Sequence, residues 1–106
     1  MTDTLVVLVT TGSEEEAEII ARTLVEERRA ACVNIINPVR SIYRWQGKLQ
    51  NGREWLLIIK THASCFTALE KRVHELHSYK VPEVIALPLA TGSNTYLDWI
   101  RNEVTK

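Results

Sequence analysis

The stretch HELHSYKVPE, residues 74 to 83, sets two histidines, a tyrosine, a lysine and two glutamates within ten positions. Imidazole and carboxylate are the groups that bind divalent metals or move protons near neutral pH. The first question is therefore whether these side chains converge. Residues three apart share a helix face, which would let His74 and His77 reach one ion. The preceding chain carries Phe66, Leu69, Val73 and Leu76 at helical spacing. At roughly 100° per residue, His77 falls at the edge of that apolar stripe, and His74 points further toward solvent. Two readings stand for His77: a helix-end histidine that hydrogen-bonds the last carbonyls, or a contact to a ligand. His74 reads as a solvated surface residue.

Four further residues could meet a ligand. Lys60 interrupts the apolar run LLIIK, Glu83 follows Pro82 at the start of another run, and Tyr79 and Trp45 stand at element ends. Together they could line a cleft in which charged and aromatic groups converge on a small molecule. The alternative for Lys60 is a strand-end lysine whose stem lies along apolar surface. Trp55, Tyr96 and Trp99 read as core or interface packing. Cys32, inside an apolar strand, reads as a small packed hydrophobe. Cys65 sits near a helix start, where a thiol can be activated, but no partner for it is visible.

The elements that must position these groups follow from pattern. LVVLVT (5–10) reads as a strand covered on both faces. Ser13 followed by Glu14, Glu15 and Glu16 is a capping box with acids on the positive end of the helix dipole. Ala17, Ile20, Ala21, Leu24 and Val25 form the buried stripe of the helix behind it. AACVNII (30–36) predicts a strand stopped by Asn37 and Pro38. Two turn signals, QG and NG, precede a strong strand over 55–61, so a hairpin with irregular pairing is expected. A second helix is expected over about 64–77. VPEVIALPLA is the fourth strand, and Pro88 places it at an edge or a bulge. SNTYLDWIRNEV predicts a capped C-terminal helix with Leu97, Ile100 and Val104 inward.

The order β-α-β-β-α-β plus a short helix predicts an α+β domain with helices on one face of an antiparallel-containing sheet. One domain covers residues 1–106, since 106 residues leave no room for a second full core. The apolar strands would leave the other sheet face bare, a patch large enough to require cover, and a second subunit is the economical cover. Lys plus Arg and Asp plus Glu total 13 each, which argues against a partner held by phosphate contacts. No apolar run approaches the roughly 20 residues that span a bilayer, the start MTDTLVVLVTT lacks the basic region of a secretory signal, and the two cysteines form no framework. A cytoplasmic protein with neither nucleic-acid nor membrane partners is expected.

AACVN, SIYRWQGK, the E…IIKT strand, HSYKVPE and the closing YLDWI, in that order and spacing, resemble the CutA family of divalent-cation tolerance proteins over nearly the whole chain. The resemblance implies a ferredoxin-like fold, a tight homotrimer with its sheets around a threefold axis, and kinship to the PII signalling trimers that bind effectors between subunits. It also implies a role in divalent-metal tolerance. Some family members bind copper through a first-strand cysteine and two adjacent histidines. Here the matching positions are Val9, Leu76 and His77, so His77 alone survives, and one imidazole makes no selective soft site. No cofactor follows from the residues, and Cu2+ or another divalent cation enters only through the resemblance.

Three functions compete. The first is a trimeric, PII-like module that binds a metal ion or small effector in intersubunit clefts lined by Trp45, Lys60, Tyr79 and Glu83. The second is a small hydrolase built on Lys60 and Glu83. An acyl-phosphate hydrolase would want an anion cradle after the first strand, where TTGSEEE places three glutamates, and no catalytic constellation is visible. The third, an RNA-binding sheet, would need exposed aromatics on central strands that LVVLVT and LLIIKT do not supply.

Overall fold

The structure is a computed structural model that describes residues 1–105; Lys106, the last residue of the expected domain, lies outside the described residues. Eight elements follow one another: β1 (Thr4–Thr11), α1 (Glu14–Glu26), β2 (Cys32–Trp45), β3 (Lys48–His62), a 3₁₀ turn (Ala63–Cys65), α2 (Phe66–Leu76), β4 (Val84–Pro88) and α3 (Asn94–Glu103). The strands form one sheet in the order β2-β3-β1-β4, and every neighbouring pair is antiparallel.

The core lies between the sheet and two helices. Val7, Val9, Leu57 and Ile59 are fully buried and alternate along β1 and β3, as a strand with one covered face requires. Ala17, Ile20 and Leu24 of α1 and Leu69 and Val73 of α2 close on them in one cluster. Val25, expected in the α1 stripe, is 40% exposed instead; one helix face about 100° wide takes Ala17, Ile20, Ala21 and Leu24 and leaves their neighbour outside. Arg72 of α2 grips the Glu27 carboxylate at 3.0 and 3.1 Å and ties the two helices together. Ile100 and Val104 of α3 and its C-terminal boundary form a second small cluster with Ala31 and Cys65.

Two expected breaks are absent. β2 does not stop at Asn37 and Pro38; it continues to Trp45 through a register shift between Ile36 and Val39. A bulge leaves residues outside the ladder, so the missing proline N–H costs no pairing there. Of the two turn signals only QG turns the chain: Gln46 (φ 50°) and Gly47 (φ 78°) both take left-handed backbone, the demand of a two-residue hairpin loop. Asn51 and Gly52 lie within β3, paired with Ile42 and Ser41. Pro88 ends β4, which is an edge strand. The C-terminal helix was expected to be capped, but Ser93 makes no capping bond to the backbone and bonds the Thr95 hydroxyl at 3.1 Å instead.

The opposite sheet face is apolar at its centre, with Lys60 and Asn34 toward one end. Val6, Leu8, Leu56 and Ile58 are its centre, joined in register by Ile36, Ile85 and Leu87 from the flanking strands. Ile36 is 41% exposed and Ile85 and Leu87 are each 51% exposed.

Candidate functional site

The site is built where β1 runs into α1 and the segment after α2 returns to the sheet. Ser13 caps α1 by accepting the Glu16 N–H at 3.2 Å. The reciprocal half of the capping box is not made. The Glu16 carboxylate turns away to accept the Ser78 N–H through Oε1 at 3.0 Å, and its Oε2 is buried without a hydrogen-bond partner among the described residues.

That oxygen lies 3.5 Å from Nδ1 of His77, whose side chain is 0% exposed. Nε2 of His77 meets the Thr10 carbonyl at 2.7 Å, and Nδ1 meets the Tyr79 N–H at 3.0 Å. A carbonyl only accepts and an amide N–H only donates, so the ring is the neutral Nε2–H form with its one lone pair in use. His77 thus pins the chain after α2 to the end of β1. Its backbone N–H bonds Val73 O at 2.8 Å and completes the last helical turn. His74 is exposed and lies 3.9 Å from Glu70.

The pinned chain presents Tyr79. Its ring tilts against His77 with centroids 4.7 Å apart and passes over Gly12, where a Cβ would stand 3.1 Å from the phenol oxygen. The hydroxyl donates to Oε2 of Glu54 at 2.9 Å. Burial first, and then the neighbouring Glu54 carboxylate, raise the Tyr79 phenol well above its ordinary range. Glu54 is only 9% exposed. Glu83 sits at the rim, and its carboxyl is pushed upward by partial burial and then by Glu54.

These groups open onto a cleft of about 710 Å³ between the β2 arm and residues 79–83, lined by Tyr43, Trp45, Glu54, Tyr79 and Glu83, with Arg40 and Lys80 also on its wall. Three of the four residues expected to share a cleft, Trp45, Tyr79 and Glu83, therefore do so within one chain. Lys60 does not. It stands opposite Val6 and Cys32, while β4 begins with Val84 opposite Val9, an offset of about 10 Å along the strands. Its ammonium bonds the Asn34 side chain on the β2 side, away from β4.

Glu54, Tyr43 and Arg40 were not foreseen in the cleft. Glu54 carried a signal: a carboxylate heading the apolar run WLLII in mid-strand is a costly placement. Tyr43 carried a weak one, standing in strand-like sequence two residues before Trp45; Arg40 carried none, because its position depends on β2 continuing past Pro38.

Metal ligation fits poorly. Among the described residues no group of three or more His, Cys, Asp or Glu side chains is arranged to hold a cation, and the His77 lone pair is occupied. Cys65 is buried and its thiol donates to the Thr105 carbonyl at 3.0 Å. Cys32 lies against Asn34, with Tyr96 close enough that burial and then Cys32 raise its phenol. The donor groups among the described residues of this chain therefore fit a resident metal poorly.

Comparison with known proteins gives the family. The family model described as CutA1 divalent ion tolerance protein matches residues 5–103. A divalent-cation tolerance protein CutA of Thermus thermophilus is 55% identical over 91% of this chain and 93% of its own length. A chloroplastic CutA protein of Arabidopsis thaliana is 47% identical over 92% of this chain, which spans 54% of that longer relative. Among solved structures, CutA1 from Oryza sativa superposes with TM-score 0.96 at 43% identity, covering 99% of this chain and 96% of that one. The Thermus thermophilus structure superposes with TM-score 0.94 at 52% identity, covering 96% and 99%. A family model satisfied from the first strand to the last helix, and a relative identical at more than half of the aligned positions, make this chain a member of the CutA family of divalent-ion tolerance proteins.

Proposed function

We propose that this chain is one subunit of a homotrimer of ferredoxin-like subunits that acts in divalent-metal response as a PII-like binding module, taking a small effector in the Trp45–Tyr79–Glu83 cleft near a subunit boundary. The observation that carries the reading is the second apolar sheet face. Half-exposed Ile36, Ile85 and Leu87 border Val6, Leu8, Leu56 and Ile58 in one register-matched patch. An exposed apolar patch of that kind marks an interaction surface, and further copies of the same chain supply a matching one.

The cleft supports binding rather than turnover. It has aromatic walls and two carboxylates but no nucleophile held by a base. The hydrolase alternative needs Lys60 beside Glu83, and within one chain Lys60 stands about 10 Å further along the strands and is engaged with Asn34 of β2. The poor fit to a metal favours an effector that reports on metal status over a cation held directly. A cytoplasmic location rests on the two free thiols; one structural relative, from Archaeoglobus fulgidus, is described as periplasmic and the plant relatives as chloroplastic.

Sedimentation and calorimetry test this together. A species of three chains at micromolar concentration is expected, with saturable binding of at least one compound from a panel of nucleotides, acyl phosphates and small metabolites, and no turnover. A compact single chain in dilute buffer would sink the reading, as would turnover abolished by Lys60→Ala.

A further inference from the structure

Among the described residues, the acid at the back of the cleft has no counter-ion. Glu54 is nine-tenths buried, accepts a hydrogen bond from the neutral Tyr79 hydroxyl, and takes part in none of the ion pairs among the described residues. A buried carboxylate without a positive partner is costly, which is why such groups are ordinarily paired. A second carboxylate, Glu83, stands at the rim close enough to feel Glu54. The lining also includes three aromatic side chains, Tyr43, Trp45 and Tyr79. Tyr43 and Trp45 are 46% and 43% exposed within one chain. Carboxylates together with aromatic faces recognise an ammonium group, through ion pairing and through attraction of the cation to the ring quadrupole.

We propose that the cleft takes a small molecule bearing an ammonium group, seated against Glu54 and Glu83 and bordered by Tyr43, Trp45 and Tyr79. This rests on reading the cleft as the ligand site. Arg40 of β2 and Lys80 of the facing segment, both exposed and both lining the cleft, give the other end of the guest a place for a carboxylate. A zwitterion of amino-acid type uses both halves of the lining, and a simple alkylamine uses one.

Four compounds of matched length separate the possibilities when titrated into the assembled protein by calorimetry at neutral pH: butylamine, 4-aminobutyrate, butyrate and butanol. The ammonium compounds are expected to bind and the other two not, with 4-aminobutyrate the tighter if Arg40 and Lys80 contribute. Glu54→Gln, nearly the same shape, is expected to weaken binding by about tenfold or more, equivalent to about 1.4 kcal/mol. Should Glu54→Gln fail to fold, Glu83→Gln at the exposed rim carries the same test with a smaller loss. Butyrate or butanol binding as well as butylamine overturns the inference, and so does ammonium binding that both glutamine variants leave unchanged. If none of the four binds while another compound of the wider panel does, and Trp45→Phe weakens it, the ammonium inference falls and the cleft stands. If nothing binds at all, both fall.

Discussion

The two faces of this sheet are made by alternate residues of the same strands, yet they meet different fates. Val7, Val9, Leu57 and Ile59 face α1 and α2 and exclude water completely. Their neighbours Val6, Leu8, Leu56 and Ile58 are equally apolar but gain only partial cover, and at the edges Ile85 and Leu87 stay half exposed. Hydrophobicity alone does not bury a residue. Burial also needs a partner element, and two amphipathic helices supply it for one face. The difference teaches that the chain carries a second apolar face its own helices leave only partly covered, the face on which the proposed assembly rests.

The contrast can be broken most severely from the covered side. Leu57→Ala is expected to cost about 3 kcal/mol, because it removes a fully buried side chain and leaves a cavity. Guanidinium denaturation at fixed subunit concentration measures this, and an equal loss for Leu87→Ala would erase the distinction between the faces. Ile85→Asp comes next. If the proposed assembly covers this face, a carboxylate there should weaken association by about 2 kcal/mol, seen as smaller species in sedimentation while the far-ultraviolet circular dichroism is kept. An unchanged sedimenting mass would mean that the face is not an interface.

At the cleft rim the effects shrink. His77→Phe fills the same buried space but frees the Thr10 carbonyl and the Tyr79 N–H, so a loss of about 1.5 kcal/mol is expected in the same denaturation assay. Affinity for Cu2+ should stay unchanged, and a drop in it would restore the ligand reading of His77. The smallest effect belongs to Glu83. Its carboxyl is raised in the folded chain, so the fold holds a proton there more tightly than the unfolded chain does. Stability contributed by the neutral form is therefore present below the ordinary glutamate range and lost as pH rises through the raised value. Glu83→Gln should raise the melting temperature slightly at pH 7 and lose that advantage when acidified below pH 4, about the ordinary glutamate value. A gain that persists in acid would assign it to something other than charge.

Much of this molecule was legible before any coordinates. The β-α-β-β-α-β order, the helix stripes of Ala17, Ile20 and Leu24 and of Leu69 and Val73, and the placement of the Pro88 strand at an edge or a bulge all follow from spacing and from proline's missing donor. The misread places share a cause. Asn37, Pro38, Asn51 and Gly52 are local breakers, but their preference is worth less than the ladder that β2 and β3 form across them. The capping box at Ser13 was half right for a related reason: Glu16 is recruited by Ser78, 62 positions away, which no local motif can anticipate.

The amino-acid order by itself determined which residues are apolar, at what period they recur and where a donor is missing. Those properties act between near neighbours, and they are enough to set the elements and the face each must hide. Only the tertiary structure decided that His77 spends both ring nitrogens on Thr10 and Tyr79, that Tyr79 lies over Gly12 to reach Glu54, and that Lys60 is left out of the cleft. The physical reason is range: hydrogen bonds and charge contacts act over a few ångströms in space, and the fold alone determines which distant residues come that close.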